Sequence, residues 1–365
     1  MKKILIIVLA LMLALTALAG CSTNNNQPSA TPAATETVSE TQTATEPATT
    51  SETNAAVKTG LGMVVSVAKS TSATGSDAAL AEADIVMAAV TLGADGKIAD
   101  VKIDMTQSKV NFDATGQLTT DIAAEVKTKV ELGGEYGMAS ASGIGKEWYE
   151  QIAALEDWMV GKTIDEVKAM QLDAEGKPAE ADLTSSVTVH VSDYIKAVDK
   201  AVANAKDFGA TVSGATKTGL GTIVSLAKST SAAADAEGLA QTDNVAIAVT
   251  VDESGVIVGA MIDTAQVKIN VDSKGVVTTD LAVEQKTKVE LGAEYGMASA
   301  SSIGKDWFEQ SAALAQWMIG KTIDQVSAIQ MDAEGKTTEA DLTSSVTIHV
   351  SDYIKAAQKA VANAG

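Results

Sequence analysis

From residue 61 onward, short apolar runs alternate with polar breaks. "LGMVVSVAKS" (61–70) reads as an extended segment. "DIVMAAVTLGADGKIADVKIDMT" (84–106) holds two alternating apolar runs around Asp95-Gly96, a residue pair suited to a tight hairpin turn. A second turn is predicted at "FDATGQL" (112–118). The apolar period then changes from two to about 3.6. In "GKEWYEQIAALEDWMVGK" (145–162) Trp148, Ile152, Leu155 and Met159 recur at helical spacing, "TIDEVKAM" (163–170) predicts a short helix, and "SDYIKAVDKAVANA" (192–205) a longer one. Strands first and helices later predict an α+β fold, an antiparallel sheet packed with helices.

The whole pattern occurs twice. "KTGLG" at 58–62 returns at 217–221, "KTKVELGGEYGMASAS" from Lys127 returns as "KTKVELGAEYGMASAS" from Lys286, and "DLTSSVTVHV" (182–191) returns as "DLTSSVTIHV" (341–350). The interval is 159 residues throughout, too long for a solenoid repeat of about 20–50. Two tandem homologous domains are therefore expected, at 58–205 and 217–365, joined by a linker at 206–216.

The amino terminus has another character. "MKK" followed by "ILIIVLALMLALTALAG" has the charge and the short apolar core of an export signal over residues 1–20. Leu18-Ala19-Gly20-Cys21 resembles the lipobox of bacterial lipoproteins, which implies cleavage before Cys21, acylation of its thiol and a protein held on a membrane surface. The apolar run is short of the roughly 20 residues of a comfortable span. Residues 21–57 are rich in Thr, Ser, Ala and Glu and carry Pro28, Pro32 and Pro47, a composition that cannot bury a core. A disordered tether follows, on the order of 30 Å between its ends as a coil and about 120 Å when stretched.

Composition narrows the partners. The net charge of −20 sets the chain against nucleic acid, and its basic residues are all lysine, so no guanidinium fork is present for phosphate. A single cysteine excludes an internal disulfide, and two histidines 159 residues apart do not suggest a metal site.

Those histidines sit in the repeated hydroxyl-rich stretch. Asp182, Ser185 and Thr188, with Asp341, Ser344 and Thr347, resemble the flavinylation motif of the FMN-binding domain family, an acid followed at three-residue steps by two hydroxyl residues. Ser186-Val187 and Ser345-Val346 depart from that family's usual Gly-Ala. The surrounding segments, the lipobox and the tether are similar to the two-domain flavinylated lipoproteins of Gram-positive extracellular electron transfer. The resemblance implies one FMN per domain, two per chain, joined through phosphate to Thr188 and Thr347 by a separate flavin transferase that consumes FAD. It further implies an electron carrier on the outer face of the cytoplasmic membrane, taking electrons from a membrane quinone or flavoprotein and passing them to ferric iron, soluble flavin or another external acceptor. Such a protein is a carrier more than a turnover enzyme, although ferric reductase activity is compatible with it. "VSGAT" (212–216) spells the family core more literally, but Ala210 stands where the acid belongs, so Thr216 is left out.

If "SVTVHV" is extended, His190 falls on the same face as Thr188, and His349 beside Thr347. Tyr136 and Met138, repeated as Tyr295 and Met297, lie in a glycine-rich segment that suits either core packing or a flavin contact. The helical spacing of Trp148 and Trp158, and of Trp307 and Trp317, points to core packing. Lys127, Lys129, Lys146 and Lys162 and their second-copy partners are either solvated or phosphate-facing, and Glu131 and Glu290 are candidate hydrogen-bond acceptors for the ring. A second function remains open on the residues alone: a non-redox surface lipoprotein with twin binding modules for a wall polymer or small solute. A hydrolase has little behind it, because Asp193 and Asp352 near the histidines read as helix-start residues.

Overall fold

A computed structural model describes residues 57–365 apart from 76, 211 and 213; the signal segment, Cys21 and the tether through residue 56 lie outside the described residues. The first copy opens with β1 (Lys58–Ser66), β2 (Ala79–Leu92) and β3 (Ile98–Phe112), an antiparallel meander. The β2–β3 connection is the expected hairpin: Gly96 has φ 77°, and the Gly93 N–H donates to Lys97 O at 2.9 Å. Four helices follow, α1 (Lys129–Leu132), α2 (Trp148–Met159), α3 (Ile164–Lys168) and α4 (Ser192–Asn204). A 3-10 turn at Gly133–Tyr136 extends α1. β4 (Lys206–Asp207) returns to pair with the start of β1, giving the order β3-β2-β1-β4, so the first residues after the first copy are strand rather than free linker.

The second copy repeats the plan with β5 (Lys217–Ser225), β6 (Gly238–Val251) and β7 (Ile257–Val271), then α5 (Lys288–Leu291), α6 (Trp307–Met318), α7 (Ile323–Ser327) and α8 (Ser351–Ala362). The described residues thus form an α+β structure with two antiparallel sheets. No helix among them is long and apolar enough to cross a membrane.

The copies do not stand apart. Along β2, Val86, Ala88 and Val90 face the helices of their own copy, whereas Ile85, Met87 and Ala89 face away and pack with Ala246, Ala248 and Ile269 of the second. Each sheet is buried on both sides, one against helices and one against the other sheet. This explains why β2 reads as a nearly unbroken apolar run instead of alternating. At the centre Thr91 Oγ meets Thr218 Oγ and Thr250 Oγ, each at 2.7 Å, while Thr59 Oγ meets Thr250 Oγ at 2.6 Å. All four hydroxyls are fully buried and satisfy one another, as a dry interface requires. The exchange is reciprocal elsewhere: the Leu118 N–H donates to Ser231 Oγ and the Val277 N–H to Ser72 Oγ, both at 3.0 Å.

One edge is closed in the first copy alone. Glu156 on α2 accepts the Ile103 N–H of edge strand β3 at 2.6 Å, and burial pushes its carboxyl from 4.5 up to about 8. A raised carboxyl favours the folded state while both states are protonated, and that advantage is lost as pH climbs from about 4.5 through about 8. Urea midpoints are therefore expected to fall across that window, and Glu156→Gln is expected to flatten the fall; an unchanged slope in the variant would place the dependence elsewhere. The second copy has Ala315 at this position.

Candidate functional site

Each copy carries a pocket between its sheet and its helices. In the first it measures about 670 Å³, in the second about 440 Å³. Val64, Val86 and Met105 from the three strands form the floor of the first. Lys129, Tyr136, Met138 and Trp148 contribute one wall, and Asp193 and Tyr194 from the first turn of α4 another. Thr188, Val189 and His190 also line it. Volumes of this size suit a cofactor or other small molecule rather than a single ion.

The aromatic wall is held rigidly. Trp148 Nε1 donates to Tyr194 Oη at 2.9 Å, with the rings edge-on at 6.0 Å; Trp307 and Tyr353 repeat the bond at 3.0 Å. Burial pushes both tyrosine hydroxyls up to about 12, so they stay protonated donors. The tryptophans divide: Trp148 and Trp307 are core residues whose rings also form pocket wall, whereas Trp158 and Trp317 pack outside it under Lys162 and Lys321.

Lysines ring the pocket. Lys129 is buried with its Nζ 4.6 Å from the Tyr136 ring centroid and 5.2 Å from that of Trp148, and burial holds it down at about 8. Lys288 repeats the stack at 4.7 and 5.2 Å. Lys69 pairs with Asp84 at 2.5 Å, a hydrogen bond that raises the lysine, and Lys177 lines the same pocket. Among the lysines singled out from sequence, Lys129 and Lys288 line these pockets; Lys127 pairs instead with Glu135 at 3.3 Å. Glu131 and Glu290 are committed elsewhere: each closes a capping box at its helix start and pairs across the copies, Glu131 with Lys359 and Glu290 with Lys200.

The repeated hydroxyl stretch is a turn followed by a bent segment, not a strand. Residues 181–186 turn, with the Ser186 and Val187 N–H groups both donating to Leu183 O at 2.8 Å. Leu183 and Val187 are buried in the core, and Leu342 and Val346 do the same in the second copy. Val187 and Val346 therefore serve as anchors beneath their turns. Alternation holds in part: Val187 and Val191 point inward, Thr188 is half-buried and His190 exposed, but Val189 lines the pocket with them. Asp182, Ser185, Asp341 and Ser344 lie exposed on the turns and do not line the pockets. His349, Tyr295 and Met297 line the second pocket, with Thr347 immediately before its Ile348 and His349 wall.

What fixes the threonines is a residue that motif reading passed over. Gln151 on α2 is fully buried; its Oε1 accepts the Thr188 N–H at 2.8 Å and the Thr188 hydroxyl at 3.2 Å. Its Nε2 donates to Ser142 Oγ at 3.1 Å and to Lys146 O at 3.2 Å. Gln310 holds Thr347 in the same way, at 2.8 and 3.1 Å. The signal was present as a glutamine on the apolar face of a helix, kept in both copies while the adjacent Ile152 becomes Ser311. With its proton held by Gln151, the Thr188 oxygen keeps lone pairs for an incoming electrophile.

No protein-family model and no solved structure matches the chain. The chlorophenol reductase of Desulfitobacterium hafniense is 44% identical over 55 residues, which are 14% of this chain and only 17% of that protein.

Proposed function

We propose that the protein is an extracellular electron carrier with two tandem FMN-binding domains, each holding FMN covalently on its motif threonine, Thr188 or Thr347. The observation that carries the reading is the placement of Thr188: a hydroxyl beside a cofactor-sized pocket, fixed by the buried Gln151 through both its backbone and its side chain, and matched in the second copy. In the attachment reaction a bond forms between the threonine Oγ and the FMN phosphorus of FAD, the pyrophosphate bond breaks, AMP leaves, and the hydroxyl proton is released. A separate transferase supplies the catalysis, because threonine is a poor nucleophile at neutral pH and no general base stands against it.

The pocket residues fit the group. Bound FMN supplies one- and two-electron transfer without a metal. Trp148, Tyr136 and Met138 offer flat apolar walls that exclude water, and Lys69, Lys129 and Lys177 bring positive charge toward an anionic group. His190 is exposed and lines the same pocket as Thr188. The anchor is assigned to acylated Cys21, which places the carrier on the outer face of the cytoplasmic membrane of a Gram-positive cell. The membrane quinone pool in its reduced, quinol form or a reduced flavoprotein donates, and ferric iron, soluble flavin or another external acceptor receives. The acidic surface, with net charge −20, favours cationic acceptors.

Intact-mass measurement of protein matured with a competent transferase tests this. Two flavin adducts are expected, one after Thr188→Ala or Thr347→Ala, and none in the double variant. A colourless protein without adducts under those conditions would favour twin non-redox binding modules.

A further inference from the structure

The two pockets are built from the same residues at nearly every matched position: Lys69 and Lys228, Lys129 and Lys288, Tyr136 and Tyr295, His190 and His349. Two differences stand out. Met105 on the floor of the first pocket is Thr264 in the second. Thr264 is only 2% exposed, and its hydroxyl has no hydrogen-bond partner, although it lies near enough to Tyr353 to restrain that hydroxyl's upward shift. Leaving a buried hydroxyl unpaired is unfavourable, so one that lines a pocket is most simply satisfied by what the pocket holds.

The second difference is electrostatic. Asp84 lines the first pocket, and it shares Lys69 with the buried carboxylate of Glu82, at 2.5 and 3.8 Å respectively. In the second, Gln241 replaces Glu82, and its amide donates to Asp243 at 3.0 Å while Lys228 pairs with that acid at 2.9 Å. One buried carboxylate has been replaced by a neutral amide that is itself bonded to Asp243. Both differences favour an electron-rich occupant.

We infer that the two sites differ in reduction potential, the C-terminal one holding an added electron more tightly because the Thr264 hydroxyl is free to donate and Gln241 carries no charge. The inference rests on the proposal that each threonine bears FMN. A single electron shared between the two sites at equilibrium then resides mainly at the C-terminal one.

Spectroelectrochemical titration of full-length, flavin-loaded single-site proteins tests this: Thr347→Ala reports the N-terminal site and Thr188→Ala the C-terminal site. The C-terminal titration is expected at the higher potential by at least a tenfold electron partition, about 59 mV for one electron or about 30 mV for two. Thr264→Met, or Thr264→Val where the longer side chain impairs folding, is expected to lower it. Met105→Thr is expected to raise the N-terminal one. Coincident or reversed potentials, or an unmoved Thr264→Val, would overturn the inference while leaving the adducts and the carrier reading intact. Material with no adduct at either threonine would overturn both.

Discussion

Gln151→Leu is expected to reduce the proposed flavin attachment at Thr188 to less than about a tenth of the parent's extent while leaving that at Thr347 unchanged. The glutamine makes four hydrogen bonds with its side chain, two to Thr188 and two to the Ser142–Lys146 segment that borders the same pocket. Leucine fills a similar volume but makes none of them. The Thr188 N–H and the Lys146 carbonyl then lose their partners, at a cost of about 1–3 kcal/mol for each buried group so stranded. That loss alone leaves a folded protein, since the three shared and separate cores are untouched. What changes is the presentation of the hydroxyl: its rotamer and the bend at 188–190 are no longer fixed, so the reactive geometry is populated for only part of the time. Peptide mapping of one preparation reads both sites together, and Gln310 keeps Thr347 as an internal control. Equal adduct yields at the two threonines, in material whose circular dichroism matches the parent, would show that Gln151 serves packing alone.

Much of the fold was legible because the signals were local. Asp95-Gly96 marked the β2–β3 turn, and Trp148, Ile152, Leu155 and Met159 named the buried stripe of α2, each at most 1% exposed. Repetition at a fixed interval then made every element a prediction for its partner. The sheet-to-sheet packing was not legible. β2 buries both faces, and a run such as Ile85 to Val90 carries no mark to say whether its second face meets a helix of its own copy or the strands of the other. Thr59, Thr91, Thr218 and Thr250 looked like ordinary strand threonines, and only their meeting across 127 to 191 residues makes them a network. The site divides similarly. Thr188, Tyr136, Met138 and His190 were readable from a motif and a repeated glycine-rich segment, whereas Lys69 and Tyr194 reach the pocket from elements far apart in sequence. Asp182 and Ser185 belong to the same repeated stretch yet stand exposed outside the pocket, because the turn at 181–186 directs Leu183 and Val187 inward instead.

Gly62→Val is expected to cost more than about 4 kcal/mol and to abolish the N-terminal pocket, the largest single-residue effect anticipated outside the motif. β1 carries Leu61 and Met63 toward the sheet of the other copy, so Gly60 and Gly62 face α4. Any side chain at Gly62 would collide with the Ala197 carbonyl and the Ala201 amide, and one at Gly60 with the Ala201 carbonyl; these are main-chain atoms that cannot swing aside. The helix has settled directly on the strand backbone, and the Asn204 side-chain amide donates to Leu61 O at 3.1 Å to finish the contact. Because α4 starts at Ser192, displacing it also moves Asp193 and Tyr194, and with them the 2.9 Å bond to Trp148 that fixes the pocket wall. Gly219 and Gly221 meet Ala360 and Ala356 in the same way, so Gly221→Val is expected to act equally on the second copy. Gly134→Ala is the contrasting control: nothing lies within 4 Å of a side chain there, and the second copy already has Ala293 at that position. It is expected to stay within about 0.5 kcal/mol of the parent. Thermal unfolding with near-ultraviolet dichroism at the tryptophans separates the cases. A Gly62→Val protein that melts with the parent and keeps its Trp148 signal would show that α4 can ride up on β1 without disturbing the pocket, so the close backbone approach would not be what sets the wall in place.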